Sequence, residues 1–283
     1  MGRKFELSAD FDTLDAPTQN AVLNPEKTDA ASKATLEAAF GEAPKIRPPS
    51  DNGVNLYRGI ERDGEWLRDA EVRELNGNDE EALAKVVGDW LRFMDTVIQR
   101  GTVSIGGTPM SREVGDSLLI GDREALVVGI RIATFGETLE IEDYECLECR
   151  GRSDLEINLT ALPESEGDGE PTTVQLRHGR EAMVRYPNGA DQRAIYSDSK
   201  ATLAEQNTVL LARCLVAVDG EPMPPSTLAA THRVRELGFA DRRTILRYLS
   251  DTQPGPRLDR IEYTHDACGS VIKLPMTLGD LFL

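Results

Sequence analysis

The feature that most constrains this chain is an internal repeat of about a hundred residues, found by setting its two halves against each other. Val72-Arg73 and Asn76-Gly77 with Asp79 match Val184-Arg185 and Asn188-Gly189 with Asp191 at an offset of 112 residues. Arg100 matches Arg213, and Val103-Ser104-Ile105-Gly106-Gly107 matches Val216-Ala217-Val218-Asp219-Gly220, at an offset of 113. After a short length difference the match resumes at 119. There Asp122-Arg123 meets Asp241-Arg242, Gly136 meets Gly255 and Tyr144 meets Tyr263. The same offset sets Cys146 on His265 and Cys149 on Cys268, so metal-type residues coincide with metal-type residues.

Breaks in composition divide the chain into an N-terminal arm (1–50), a first unit (51–162), an acidic linker (163–171) and a second unit (172–283). The arm holds few large apolar residues apart from a helical run at Leu36, Ala39 and Phe40, and it closes on the stiff Pro44–Pro49 stretch. It reads as extended. The linker, Pro163 to Pro171, is acidic and rich in turn formers, without apolar periodicity.

One unit reads as helix, strand, helix and hairpin, which makes the class α+β. Leu83, Val86, Val87, Trp90, Leu91, Met94, Val97 and Ile98 follow the helical rhythm, with Asn78 and Glu81 as a capping pair. Thr102–Ile105 reads as a short strand before a Gly-Gly turn. A second helix runs from Asp122 to Thr134 and stops at Gly136. Leu139 and Ile141 before the cysteines, and Leu155, Ile157 and Leu159 after them, read as a β-hairpin with C-x-x-C at its turn. Strand-like stretches at 54–72 and 174–184 precede the units. Trp90, Leu91, Ile130 and Leu246 are expected in the core.

Two residues between cysteines let both sulfurs turn to one point, so each knuckle supplies half of a tetrahedral site. Packed about a pseudo-twofold axis, the knuckles would complete a single structural zinc site of Cys146, Cys149, His265 and Cys268. Against this stand a C-x-x-C without metal and a redox dithiol. The redox reading is opposed by the strand pattern that follows the pair, since redox dithiols open a helix. Cys214 reads as a buried free thiol, and His178 and His232 as surface residues. Asn158-Leu159-Thr160 matches a glycosylation sequon by chance. Asp122-Arg123 and Asp241-Arg242 read as helix caps with neighbouring ion pairs.

Phosphate loops, nucleophile elbows and H-E-x-x-H patterns are absent from the sequence, and a zinc held by four protein ligands has no open position, so no enzyme is expected. A net charge of −17 opposes binding to nucleic acid. No window is apolar enough to span a membrane and the start lacks a secretory signal, which makes a cytoplasm the expected address.

The N-G-x-D helix start, the V-x-I-x-G strand, the D-R-x-x-L helix ending in F-G, the strand into C-x-x-C and the second dyad with its apolar tail resemble the T-even-type bacteriophage baseplate family. The resemblance spans about residues 54–283. It implies a hub component or hub assembly chaperone of a contractile tail or injection system, in multiple copies, contacting other baseplate or tail hub proteins. The expected location is the producing cell's cytoplasm during assembly and then the baseplate of the particle. This chain departs from the family pattern at His265, where cysteine is commoner, and at Arg150-Gly151 after Cys149. A nucleic-acid-binding zinc-knuckle protein and a metal-dependent hydrolase are the rival readings.

Overall fold

Alternating apolar residues from Val54 onward form a strand, β1 (Gly53–Arg62), that folds back as β2 (Glu65–Val72). The computed structural model describes residues 52–282; the arm at 1–50, with its predicted helical run and Pro-rich stretch, lies outside the described residues. Helices α1 (Gly77–Ala84) and α2 (Trp90–Gly101) follow, then β3 (Thr102–Ile105) and β4 (Thr108–Pro109). Next come α3 (Arg112–Ser117) and α4 (Ile120–Phe135), which ends at Gly136 with φ +91°. The hairpin β5 (Thr138–Glu145) and β6 (Arg152–Asn158) pairs Leu139 with Ile157 and Ile141 with Leu155.

A short strand β7 (Glu164–Ser165) begins within the expected linker and pairs far ahead with β12 (Gly255–Pro256). The second half then presents β8 (Thr172–Gln175), β9 (Glu181–Val184), α5 (Gly189–Ile195), α6 (Leu203–Cys214), β10 (Leu215–Val218) and β11 (Glu221–Pro222). It continues with α7 (Thr227–Glu236), α8 (Phe239–Thr252) and a hairpin of β13 (Glu262–Thr264) and β14 (Val271–Lys273). Two antiparallel four-stranded sheets, β1-β2-β3-β4 and β11-β10-β9-β8, two-stranded ladders and eight helices make the described residues an α+β protein.

Several local expectations are corrected. The helix read through residues 83–98 is two helices, because Asp89 stops the first pattern and starts the next: its carboxylate accepts the Arg92 amide at 3.1 Å. Gly88 just before it weakens any continuous helix. Val87 and Trp90 therefore lie at the break, 69% and 40% exposed, and Leu91 is half-buried. Met94, Val97 and Ile98 form the buried row. Ile130 is buried as expected, whereas Leu246 is half-buried and its neighbour Ile245 points inward. The cap of α1 is Asn76 with Asp79, two residues before the predicted pair.

Asp79 does more than cap. Arg73 and Arg100 reach its buried carboxylate at 2.8 and 3.0 Å, and in the second half Arg185 and Arg213 each reach the buried Asp191 at 2.6 Å. Burial raises both carboxyls, but Arg73, the Asn76 amide and Arg100 at one site, and Arg185, the Asn188 amide and Arg213 at the other, outweigh it and hold them below the usual range.

The Asp-Arg pairs are not caps of their own helices. Asp122 accepts amides from Tyr57, Arg58 and Gly59 at 2.6, 3.2 and 2.9 Å, where β1 bulges. Gly59 has φ +77°, and a Cβ there would lie 2.0 Å from the Leu67 carbonyl oxygen, so the bulge requires glycine. Asp241 accepts the Arg177 amide in the corresponding place, at 3.2 Å. Arg123 donates to the Gly115 carbonyl and Asp95; Arg242 donates to the Val234 carbonyl and Thr208.

The buried side chains form two clusters of unequal membership. The first gathers Leu56, Val72, Met94, Ile105, Leu126 and Ile130, the β5–β6 hairpin, and also Leu258, Ile261, Ile272, Leu274, Leu278 and Leu281 from the end of the chain. The second holds Val184, Leu211, Leu215, Val234, Ile245 and Leu249, with Leu119 from the first half. The second half's hairpin thus leaves its own helices and packs in the first core. Arg131 fastens the tail by donating from Nε to the Leu281 carbonyl at 2.6 Å.

Candidate metal centre

Each knuckle is built by its hairpin. The Cys146 amide donates to the Gly151 carbonyl at 2.9 Å and the Arg150 amide returns to the Cys146 carbonyl at 2.8 Å. His265 and Ser270, and Gly269 and His265, make the same two bonds at 2.9 and 2.7 Å. The tight reversal puts its fifth residue in the left-handed region, φ +59° at Arg150 and +70° at Gly269. Gly269 adopts this freely; Arg150 does so at a cost of about 1 kcal/mol.

Packing both hairpins into one core brings the knuckles face to face. The ligand atoms of Cys146, Cys149, His265 and Cys268 all lie within 4.8 Å of one another. Cys146 Sγ is 3.9 Å from Cys268 Sγ, Cys149 Sγ is 3.6 Å from His265 Nδ1, and that nitrogen is 3.1 Å from Cys268 Sγ. A tetrahedron with metal–sulfur bonds of about 2.3 Å has edges of roughly 3.8 Å, so a small divalent ion fits these atoms. A disulfide does not: its sulfurs sit about 2.05 Å apart, and all four cysteines are free.

Surrounding groups orient the set. His265 is buried, and its Nε2 lies 3.1 Å from Ser153 Oγ, which leaves Nδ1 facing the sulfurs. Ser270 Oγ is 2.9 Å from Cys268 Sγ and 3.6 Å from Cys146 Sγ. The Cys149 amide and then the Ser270 hydroxyl pull the Cys146 thiol below its ordinary pKa, and the Ser270 hydroxyl and amide do the same for Cys268. Cys149 moves the other way: the Gly151 amide favours its thiolate, but desolvation and the adjacent Cys268 and Cys146 sulfurs prevail. Ionisation of all three cysteines at this spacing would be favoured by a cation between them.

The remaining candidates fall outside the site. Cys214 is buried beneath Leu215 in the second core, and burial, with Asp191 nearby, pushes its thiol up to about 12. His178 and His232 are exposed, His232 beside Glu236 at 3.5 Å. The Asn158 side chain accepts the Thr160 amide and caps a short turn, so the sequon has a structural use. Ser153 and Ser270 escape sequence reasoning, because only the packing of the hairpins brings their hydroxyls to the ligands.

Comparison with curated proteins and with solved structures matches nothing. Comparison with family models matches residues 70–271, a span running from β2 into β14 and holding both knuckles, to the family described as T4 bacteriophage base plate protein. With most of its length inside that match, and with the first hairpin and all four clustered side chains lying between its ends, the chain belongs to the T4 bacteriophage base plate protein family.

Proposed function

We propose that this chain is a non-enzymatic structural or assembly component of a contractile-tail baseplate, in a phage or a related injection system. It acts by contact with other baseplate or tail hub proteins. It forms in the cytoplasm of the producing cell and is carried into the particle. The observation that carries the reading is the family match over residues 70–271, which runs from the end of β2 through the second knuckle. Among the described residues no helix is long and apolar enough to cross a membrane. The arm, 1–50, serves as a tether to a neighbouring subunit.

The metal is zinc and its role is structural. Three cysteines and one histidine at tetrahedral spacing are a closed donor set that suits zinc and leaves no position for water or substrate. Zinc joins hairpins 116 positions apart in the chain (Cys149 to His265), so its binding energy is folding energy for the joint between them. The two halves are copies of one unit: matching residues make the matching Asp-Arg clasps, contacts of a helix carboxylate with backbone amides, and knuckle hydrogen bonds.

The zinc-knuckle reading that would place the protein on nucleic acid is disfavoured by the net charge of −17 and by Glu145, Glu148 and Asp266 flanking the ligands. Mass spectrometry of purified particles tests the baseplate role. The protein, or baseplates that fail to assemble when its gene is deleted, is the expected finding; particles that assemble normally without it refute the role. DNA affinity that falls steeply between low and moderate salt would favour the rival.

A further inference from the structure

The halves of the molecule are joined through α5. Its first turn lies on the first half: the Gly189 amide donates to the Leu118 carbonyl at 3.0 Å and the Ile120 amide to the Pro187 carbonyl at 3.1 Å. Arg193 reaches Asp95 at 2.6 Å and also pairs with Asp116. The backbones approach so closely that a Cβ on Gly189 would lie 2.5 Å from the Gly115 carbonyl oxygen and 3.1 Å from Asp116 Cα. Glycine at position 189 is therefore explained by this joint.

Both sides of the joint have counterparts that the described residues leave uncovered. The counterpart of α5 is α1, with the same capping box and the same Asp-Arg clasp; Gly77 stands for Gly189 and Glu81 for Arg193. Among the described residues a Cβ on Gly77 would meet nothing within 4 Å. The counterpart of the acceptor face lies on α6, α7 and α8, aligned by the matching bonds of Arg123 to Gly115 and Arg242 to Val234. Thr208, Arg235, Leu237 and Phe239 stand there for Asp95, Asp116, Leu118 and Ile120. Phe239 is 81% exposed where Ile120 is half-buried, and it borders a groove of about 710 Å³.

The charges on the open faces are exchanged relative to the closed joint. Inside the chain a donor arginine meets acceptor aspartates. Outside, the donor face carries exposed Glu80 and Glu81, and the acceptor face carries exposed Arg235 and Arg243. We propose that α1 of one copy seats on the α6–α7–α8 face of a second copy, with Glu81 against Arg235, repeating between chains the joint that α5 makes within one. The proposal rests on the copy reading of the two halves and is independent of the baseplate role. Because the two faces are different surfaces, the contact is head-to-tail. It builds a ring or an open filament, not a twofold dimer.

Sedimentation velocity of the full-length, zinc-loaded chain from ~1 to ~100 μM covers the affinity range expected of a modest interface. The expected result is a mass above monomer that grows with concentration and shrinks with added salt. Glu81→Arg alone and Arg235→Glu alone should each weaken association at least about tenfold, roughly 1.4 kcal/mol, with circular dichroism unchanged. An equal mixture of the two variants should restore it, since the introduced arginine of one meets the introduced glutamate of the other. A chain monomeric throughout, even with both faces protected from hydrogen exchange by the arm, overturns the proposal. So do single variants that associate like the parent, or a mixture that stays dissociated. Particles lacking the protein would end the baseplate role and leave this result standing.

Discussion

The two halves carry the same sequence of elements, yet the first keeps its hairpin on its own core and the second gives its hairpin away. In the first, Leu155 and Ile157 pack with Leu126 and Ile130 of the preceding helix. In the second, Ile272 and Leu274 join that same cluster, and the core under α6 and α8 closes without them. A repeated pattern therefore repeats local structure without repeating the partners that each element buries against. Hydrophobic burial is non-directional and accepts any apolar surface of the right shape. The joint that results is secured by three devices of different kinds: shared apolar core, the α5 contact and the cysteine–histidine cluster.

Removing one ligand of the cluster should separate the halves most strongly. Cys146→Ser leaves three ligands, and much of a binding energy on the order of 10 kcal/mol is forfeited. About one zinc per chain is expected by elemental analysis of the parent, and none in the variant. Hydrogen exchange should rise in β13–β14 more than in β5–β6, because only the first hairpin follows directly from the helix it packs on. Folded, soluble parent protein without metal, or equal exchange in both hairpins, would break the contrast.

A smaller effect should show how alike the halves are elsewhere. Asp79→Asn and Asp191→Asn each leave two arginines facing a neutral group, and we expect a loss of about 3 kcal/mol, less than a fully buried pair because the arginines are partly exposed. Both carboxyls sit below their unfolded pKa, so their contribution is full above about pH 4 and is lost as pH falls through the depressed folded values. Denaturant midpoints measured between pH 6 and pH 2 should fall for the parent and vary less for either variant. Very different losses at the two sites would mean that the clasps are not equivalent.

The smallest expected effect compares the knuckles themselves. Arg150→Gly relieves a left-handed residue and should stabilise by about 0.5–1 kcal/mol, while Gly269→Ala should destabilise by about 1 kcal/mol at the matching place. Loss of the exposed Arg150–Glu145 pair, at 3.1 Å, offsets little of the first change. Thermal midpoints of the two variants, measured with zinc present, check both signs.

Sequence periodicity by itself determined the elements whose residues speak for themselves. The hairpin strands around Leu139 and Ile157, the α4 stop at Gly136 and the strand before Gly106-Gly107 follow from local alternation and glycine stereochemistry. Spacing also named the four side chains whose ligand atoms lie within 4.8 Å of one another. Where two local signals competed, the chain was less legible: Asp89 as a cap overrode the apolar rhythm through Val87 and Trp90, and Asp122 reached a bulge in β1 instead of its own helix end. Tertiary structure alone decided which core receives the second hairpin, that Ser153 and Ser270 stand beside the ligands, and that α5 closes one face while the described residues leave its counterpart α1 open. Those outcomes depend on contacts between residues tens to more than a hundred positions apart, and no local pattern encodes them, because the energy of such contacts exists only once both surfaces are already folded.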